Sequence, residues 1–423
     1  MYLCKANYGD MKHFLFFIGS LLILASCSKD DSNGGEQQEL GPASKTVIVY
    51  MAAENSLTSY VQGDIDEMIS GVKKIPANEN LIVFVDRSSQ TENPFIARIT
   101  QNAESPVDTL AVYNHDFQCS DPDNFYSVLQ WIVTNCPATQ DYALVLWGHA
   151  SGWIIEPNTT IRNAAPRHAY GIDNGNNNTN NNTNDNGLWL NIPDMRKALE
   201  KLPVKWRYIF FDCCNMQNVE TAYELHLLTD YIIASPAEIP GKGAPYDTVV
   251  ADLFSTSTTF YQSIIDHYAE AYSNKVPLSV IKTDQMEQLA NATQTILQEA
   301  STDIITNGTS NLIYYNTLQN GTYHVMFDVK DVVRRALAND ETRYQSWYNA
   351  LTQTVIYKRI ATRWTTNSTI NINFDDFTVT DDNYSGISMF FPLNEYNNER
   401  HHLNNAIRQM QWYQAVGWSR LGW

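Results

Sequence analysis

The sequence predicts an α/β fold in which helices cover a mainly parallel sheet, and two patterns in the 423-residue chain lead there. Short apolar runs recur at residues 46–51, 81–85, 143–147, 208–211 and 231–234. Most are apolar throughout, as strands buried on both faces of a parallel sheet must be. Between them apolar residues recur at intervals of three and four, as in Leu57, Val61, Ile65, Met68, Ile69 and Val72, and again in Val219, Ala222, Tyr223 and Leu225. That spacing lays one apolar stripe along a helix. Alternation of such strands and helices is the pattern of a sheet built by crossover connections.

The same reading divides the chain. Residues 1–26 form a leader, 27–44 a flexible tether, 45–273 the α/β domain, and 274–423 an additional α+β region. This last region has its own strand runs at 278–282 and 387–393 and helical patterns at 285–300 and 328–337. Pattern alone leaves open whether it extends the first sheet or flanks it. Residues 174–186 are almost wholly Asn, Thr, Gly and Asp, which cannot build a core and read as a surface loop.

The leader is specific. Met11-Lys12-His13 precede an apolar run from Phe14 to Leu24 and then Ala25-Ser26-Cys27. A positive start, a short apolar stretch and a small-residue cleavage site make a secretory signal, too short for an ordinary membrane span. Leu24-Ala25-Ser26-Cys27 also resembles a bacterial lipobox, which makes Cys27 the expected lipidation site and Met11 a candidate initiator. The polar tract from Ser28 to Glu39 carries too little apolar area to offset the entropy of ordering. Its start, Ser28-Lys29-Asp30-Asp31, is similar to the acidic surface-export signals of Bacteroidetes lipoproteins. The expected location is therefore the cell envelope, with the membrane reached through the lipid on Cys27.

Composition narrows the partners. With 28 basic and 46 acidic side chains the net charge is −18, which argues against nucleic acid, since phosphate binding needs a basic face. Of six cysteines, Cys4 and Cys27 belong to the leader and its cleavage site, leaving Cys119, Cys136, Cys213 and Cys214. No CxxC spacing suggests zinc. Cys119 and Cys136 are free to pair in an oxidising compartment, whereas adjacent cysteines rarely bridge each other. A thiol kept unpaired in an exported chain points to reactivity.

Chemistry concentrates at two strand ends, where open α/β sheets place their ligand crevice. In 143–153 the apolar run stops at Trp147-Gly148 and His149 follows. In 208–216 the run Tyr208-Ile209-Phe210-Phe211 gives way to Asp212-Cys213-Cys214-Asn215-Met216 and then to a helix expected over 217–228. A cysteine at a strand-to-helix turn is expected to feel the positive end of the helix dipole, which favours thiolate. A histidine on a neighbouring strand end would complete a nucleophile and acid/base pair. Alone, each is more often structural: a buried Cys is usually a small hydrophobe.

These segments resemble the His and Cys motifs of clostripain-like peptidases. Tyr50-Met51-Ala52-Ala53-Glu54-Asn55-Ser56-Leu57 is similar to that family's first strand and turn, and the stretch from Ala234 to Tyr246 to its segment after the next strand. The resemblance spans about 46–246, and more faintly the C-terminal half. It implies a caspase-like sandwich of helices around the sheet, peptide or protein substrates, and a Cys214–His149 dyad acting through a thioester acyl-enzyme. Counting from Asp212 and from Asn215-Met216 places Cys214 at the nucleophile position. Cys213, one residue back, then faces the core. The implied oxyanion donors are the backbone N–H groups of Cys214 and Ala150, although family members usually carry glycine where Ala150 stands. Members that cut after Arg or Lys line the pocket for that side chain with carboxylates, one matching Asp212 and another near Lys242. Lysine at that place would repel a basic side chain unless Asp212 compensates or Lys242 points to solvent. The chemistry requires no cofactor or metal, and calcium is compatible with the sequence but not indicated by it.

Two rival readings remain at this level: a surface lipoprotein that keeps the fold for binding without activity, and an amidase or transferase using the same dyad. Family members are often nicked between the two motifs. Here the exposed stretch 156–187 holds Arg162 and Arg167 as its only basic residues, which makes them the expected cut sites.

Overall fold

The computed structural model describes residues 43–423 except 90, 115–116, 155–168, 176–186, 319–322, 367–374 and 398–401. Cys27, the leader, the tether up to residue 42, Arg162 and Arg167 therefore lie outside the described residues, while residues 43 and 44, expected to end the tether, already belong to the first strand.

The strands in chain order are β1 (Ala43–Ala53), β2 (Asn80–Arg87), β3 (Phe95–Ile99), β4 (Val107–Val112), β5 (Ala138–Gly148), β6 (Tyr170–Asp173) and β7 (Leu188–Leu190). There follow β8 (Trp206–Asp212), β9 (Thr229–Ala234), β10 (Leu278–Lys282), β11 (Tyr314–Leu318), β12 (Tyr323–Asp328) and β13 (Val355–Arg359). Nine of them form one sheet in the order β13-β10-β9-β8-β5-β1-β2-β3-β4. Its centre, β9-β8-β5-β1-β2, is parallel throughout, and both flanks are antiparallel. The five apolar runs of the sequence are the five parallel strands. β3, β4 and β13 are part-exposed or short, so they leave no comparable run.

Both faces of the sheet are covered, which is why the central strands carry apolar runs through their middles, with polar residues mostly toward their ends. Along β1, Val47, Val49, Met51 and Ala53 enter one core while Ile48, Tyr50 and Ala52 enter the other. The first core is closed by α1 (Val61–Gly71), and the second by α2 (Pro122–Asn135), α3 (Ile192–Glu200) and α4 (Val219–Leu225). Next in the chain, α5 (Tyr246–Leu253) and α6 (Phe260–Ala271) join α1 on its face. α2 begins where Asp121 accepts hydrogen bonds from the N–H groups of Asp123 and Asn124 and Pro122 takes the first helical position. Its Phe125, Val128, Leu129 and Ile132 are fully buried at three-four spacing.

Beyond residue 273 the chain stays with this sheet, since β10 pairs with β9 and β13 with β10. The helix expected over 285–300 is two helices, α7 (Met286–Gln294) and α8 (Leu297–Asn307). The break falls where Thr295 Oγ1 bonds to the Ala292 carbonyl at 2.7 Å, a local bond that competes with the helical ladder. Of the strand expected over 387–393 only Ser388–Met389 pairs with β12. Phe390 instead gives its N–H to the Glu220 carboxylate at 2.8 Å, and Pro392 has none to give. No helix among the described residues is long and apolar enough to cross a membrane.

Candidate active site

The site is set by the register of two parallel strands. Trp147 on β5 stands opposite Asp212 on β8, and His149 and Cys214 each lie two residues beyond that pair. Adjacent strands are about 4.8 Å apart, so the two residues leave the sheet side by side at its carboxyl edge. Both line one cavity of about 470 Å³, together with Asp212, Glu238 and Lys275. Leu57, Tyr60, Trp147, Ile239, Pro240 and Val276 supply its apolar wall.

His149 is held at its backbone and at its ring. Gly148 before it has φ +149°, and a Cβ there would come within 2.9 Å of the Ala52 carbonyl, so only glycine lets β5 end this close to β1. The His149 carbonyl accepts from Gly171 N–H at 2.8 Å, and Ser151 N–H donates to Ala169 at 2.9 Å, which ties the residue to β6. The ring Nε2 lies 2.8 Å from the Ser56 hydroxyl. Ser56 is fixed by its neighbour: Asn55 accepts from Leu57 N–H and donates to the carbonyls of Ala52 and Ile172.

Cys213 is fully buried in the core, and Cys214 is half-buried beside the cavity. The chain turns at Asn215, at φ +61°, a left-handed conformation that asparagine tolerates better than most residues. The Asn215 N–H donates to Ala237 at 3.0 Å and its carbonyl accepts from the Asn218 side chain. The Cys214 Sγ accepts from Ile239 N–H at 3.3 Å. Burial, then the negative charge of Glu238, push the thiol up to about 12, against the downward pull of that one N–H. This corrects the expectation of a thiolate favoured by the helix dipole. The helix starts at Val219 rather than 217, with Asn218 capping it through Thr221 N–H, and desolvation outweighs so short and distant a dipole.

Asp212 sits in the cavity wall with its carboxylate buried. It accepts from Ala244 N–H at 2.9 Å, Tyr246 hydroxyl at 2.8 Å and Tyr268 hydroxyl at 3.1 Å. Burial still wins over these donors and raises it to about 6. Gly243, at φ +69°, is required there because a Cβ would stand 2.6 Å from Asp212 Oδ2. Lys242 does not line the cavity: its ammonium pairs with Glu67 at 2.7 Å, and the side chain is 61% exposed. Behind the wall Asp64 accepts from the Trp147 indole at 2.7 Å and is raised to about 8, chiefly by burial and then by the charge of Asp212.

The structure thus brings His149, Cys214 and Asp212 together and leaves Lys242 outside. Ala150, beside His149, is bridged to Tyr170 of β6 through its neighbours' hydrogen bonds. Ser56 and Glu238 were not singled out by sequence reasoning. Each sits just past a strand, in the turn after β1 and the loop after β9, inside two of the stretches that carry the family resemblance, and that placement was their signal. Cys119 and Cys136 are free, buried thiols.

Comparison with known proteins fits this architecture. A model of the clostripain family matches residues 49–423. A secreted C11 cysteine protease from Bacteroides thetaiotaomicron, solved with an irreversible peptide inhibitor, is 29% identical over 89% of this chain and 100% of its own, with TM-score 0.73. An inactive zymogen C11 protease from Parabacteroides distasonis is 26% identical over 89% and 99%, with TM-score 0.72. No curated protein sequence matches. The caspase-like α/β sandwich expected from the motifs is the fold observed, and the chain belongs to the clostripain family of cysteine peptidases.

Proposed function

We propose that the protein is an exported endopeptidase in which Cys214 attacks the peptide carbonyl and His149 moves the proton. The observation that carries this reading is the convergence of the two side chains, by strand register, on one cavity. Burial and the Glu238 charge favour the neutral thiol, so His149 takes its proton as the sulfur attacks and passes it to the departing amine. The oxyanion then faces the N–H groups of Cys214 and Ala150, and water releases the thioester. A peptide-library cleavage profile of the wild type beside Cys214→Ala tests the whole reading. New N-termini from the wild type alone are expected, and their absence from both would defeat it.

A basic side chain before the scissile bond suits the cavity. Asp212 and Glu238 line it, two carboxylates against the one ammonium of Lys275, and Lys242 is turned away to Glu67. Such a cation would also offset the Glu238 charge that raises the thiol. Asp212→Asn should therefore lower kcat/KM for Arg or Lys substrates about 10- to 100-fold, the worth of one charge-assisted contact. Neutral substrates should change little, and thermal unfolding should be followed as the control, because three donors lose an anion. Equal losses for both substrate classes would remove Asp212 from recognition.

Ser56 positions the imidazole. Ser56→Ala should cost about 1 kcal/mol of orientation, a factor of about five in kcat with KM unchanged. Steady-state kinetics checks this, and an unchanged kcat would make the bond incidental.

One observation favours the non-catalytic alternative: a thiol held neutral by burial. Iodoacetamide labelling at neutral pH separates the two, since an inert Cys214 would react no faster than a free thiol. The leader and Cys27 support export and lipid anchoring in the cell envelope. Globomycin-sensitive processing or mass spectrometry of the mature N-terminus would test that.

A further inference from the structure

Away from the cavity lining, Asp86, Cys119 and Asp173 each bring one donor atom into a cluster whose atoms all lie within 4.8 Å of one another. All three residues are about 1% exposed. They come from distant parts of the chain: Asp86 from β2, Cys119 from the lead-in to α2, and Asp173 from the end of β6. Glu54, just past β1, hydrogen-bonds to Asp173 and is itself buried.

Acceptors outnumber donors here. The two oxygens of Asp173 take the N–H groups of Cys119 at 2.6 Å and Gly175 at 2.9 Å. Cys119 has a single thiol hydrogen to divide between Asp86 and Asp173. Asp86 Oδ2 is buried with no hydrogen-bond partner among the described residues. Among the described residues no basic side chain is one of the groups acting on Asp86. Buried carboxylates are ordinarily paired with a cation or coordinate a metal, because an uncompensated one costs several kcal/mol. Sharing protons within the cluster would still leave Oδ2 unmet.

We propose that Asp86, Cys119 and Asp173, with Glu54 beside them, bind a divalent cation of the borderline-soft class, for which zinc is the probe. Metal–oxygen bonds of about 2.0–2.2 Å and a metal–sulfur bond of about 2.3 Å in a tetrahedral shell place ligand atoms about 3.3–3.7 Å apart, inside the 4.8 Å limit within which these atoms lie. The thiol sets this class apart from magnesium and calcium, which prefer all-oxygen shells. On binding, Cys119 loses its proton to solvent and coordinates as thiolate.

The cation would act as a brace. It would join the exits of β1 and β2 to α2 and to β6, and Gly171 of β6, with Ala169 just before it, holds the backbone around His149. The site does not depend on the catalytic reading, so it is tested in the full chain carrying Cys214→Ala, where that reading cannot interfere.

After EDTA treatment and dialysis against micromolar zinc, the protein should retain one equivalent by elemental analysis and melt about 4 °C higher than the metal-free form. Asp86→Asn and Cys119→Ser should each lose that equivalent and its thermal shift, whereas Asp284→Asn, a surface carboxylate, should keep both. Circular dichroism of the metal-free variants verifies folding. If neither variant folds, retention and thermal shift in the parent chain decide alone. Absence of a tightly held equivalent, zinc binding without a thermal shift, or retention by Asp86→Asn would overturn the site.

Discussion

Cys214→Ala should reduce peptide-bond cleavage by roughly 10⁴-fold or more while leaving the fold in place. No other thiol among the described residues can substitute: Cys213, one residue back, is fully buried, and Cys119 and Cys136 are buried. Removing a nucleophile from an acyl-transfer enzyme leaves only the residual catalysis of binding and oxyanion contacts, and losses of about 10⁴ to 10⁶ are usual. The fold should tolerate the change because the sulfur sits half-buried at a cavity wall, receives one hydrogen bond, from Ile239, and is disfavoured as an anion by Glu238. A stability change within about 1 kcal/mol is expected. Cys213→Ala is the paired control. It should keep most activity and lose about 1 kcal/mol of stability, since a fully buried sulfur leaves a small void in the core. Cleavage assays and thermal melts of both variants check this, and reversed phenotypes would move the nucleophile by one residue.

His149→Ala should lower kcat by about 10³-fold with KM nearly unchanged, because the imidazole acts on a proton in transit and not on bound substrate. The raised thiol makes the effect visible without substrate. Alkylation of Cys214 near neutral pH should depend on His149 taking the thiol proton as the sulfur attacks. Without it labelling should be slower at neutral pH and rise only at alkaline pH, because burial and the Glu238 charge disfavour the thiolate. Stopped-flow kinetics and pH-dependent labelling measure the two effects. His267→Ala serves as control, since that ring pairs with Asp252 and does not line the cavity. Near-normal turnover in His149→Ala would take the residue out of the mechanism.

Much of this was legible along the chain. Five apolar runs, most of them apolar throughout, announced the parallel centre of the sheet, because a strand covered on both faces has no polar side to show. The abrupt change at Gly148-His149 and at Asp212-Cys213-Cys214 marked the strand ends, and in a parallel sheet those ends share one edge. Alternation of side chains sent Cys213 into the core once Cys214 was assigned to the site.

Other features had no local signature. The ionisation of Cys214 was misjudged because a dipole can be inferred from a neighbouring helix, whereas desolvation and the charge of Glu238 arise only when the loop after β9 closes over the sulfur. Along the chain Lys242 was open between repelling a basic side chain and pointing to solvent, and only its pairing with Glu67, on a helix far back in sequence, places it away from the cavity. Asp86, Cys119 and Asp173 are scattered through the chain and follow no metal-ligand spacing, yet the sheet gathers them. The sequence by itself determined the strand and helix pattern and which residues stand at the strand exits, since those depend on periodicity over a few neighbours. Only the tertiary structure decided which charges meet and which are cut off from water, because electrostatic energies depend on distance and burial through space and not on separation along the chain.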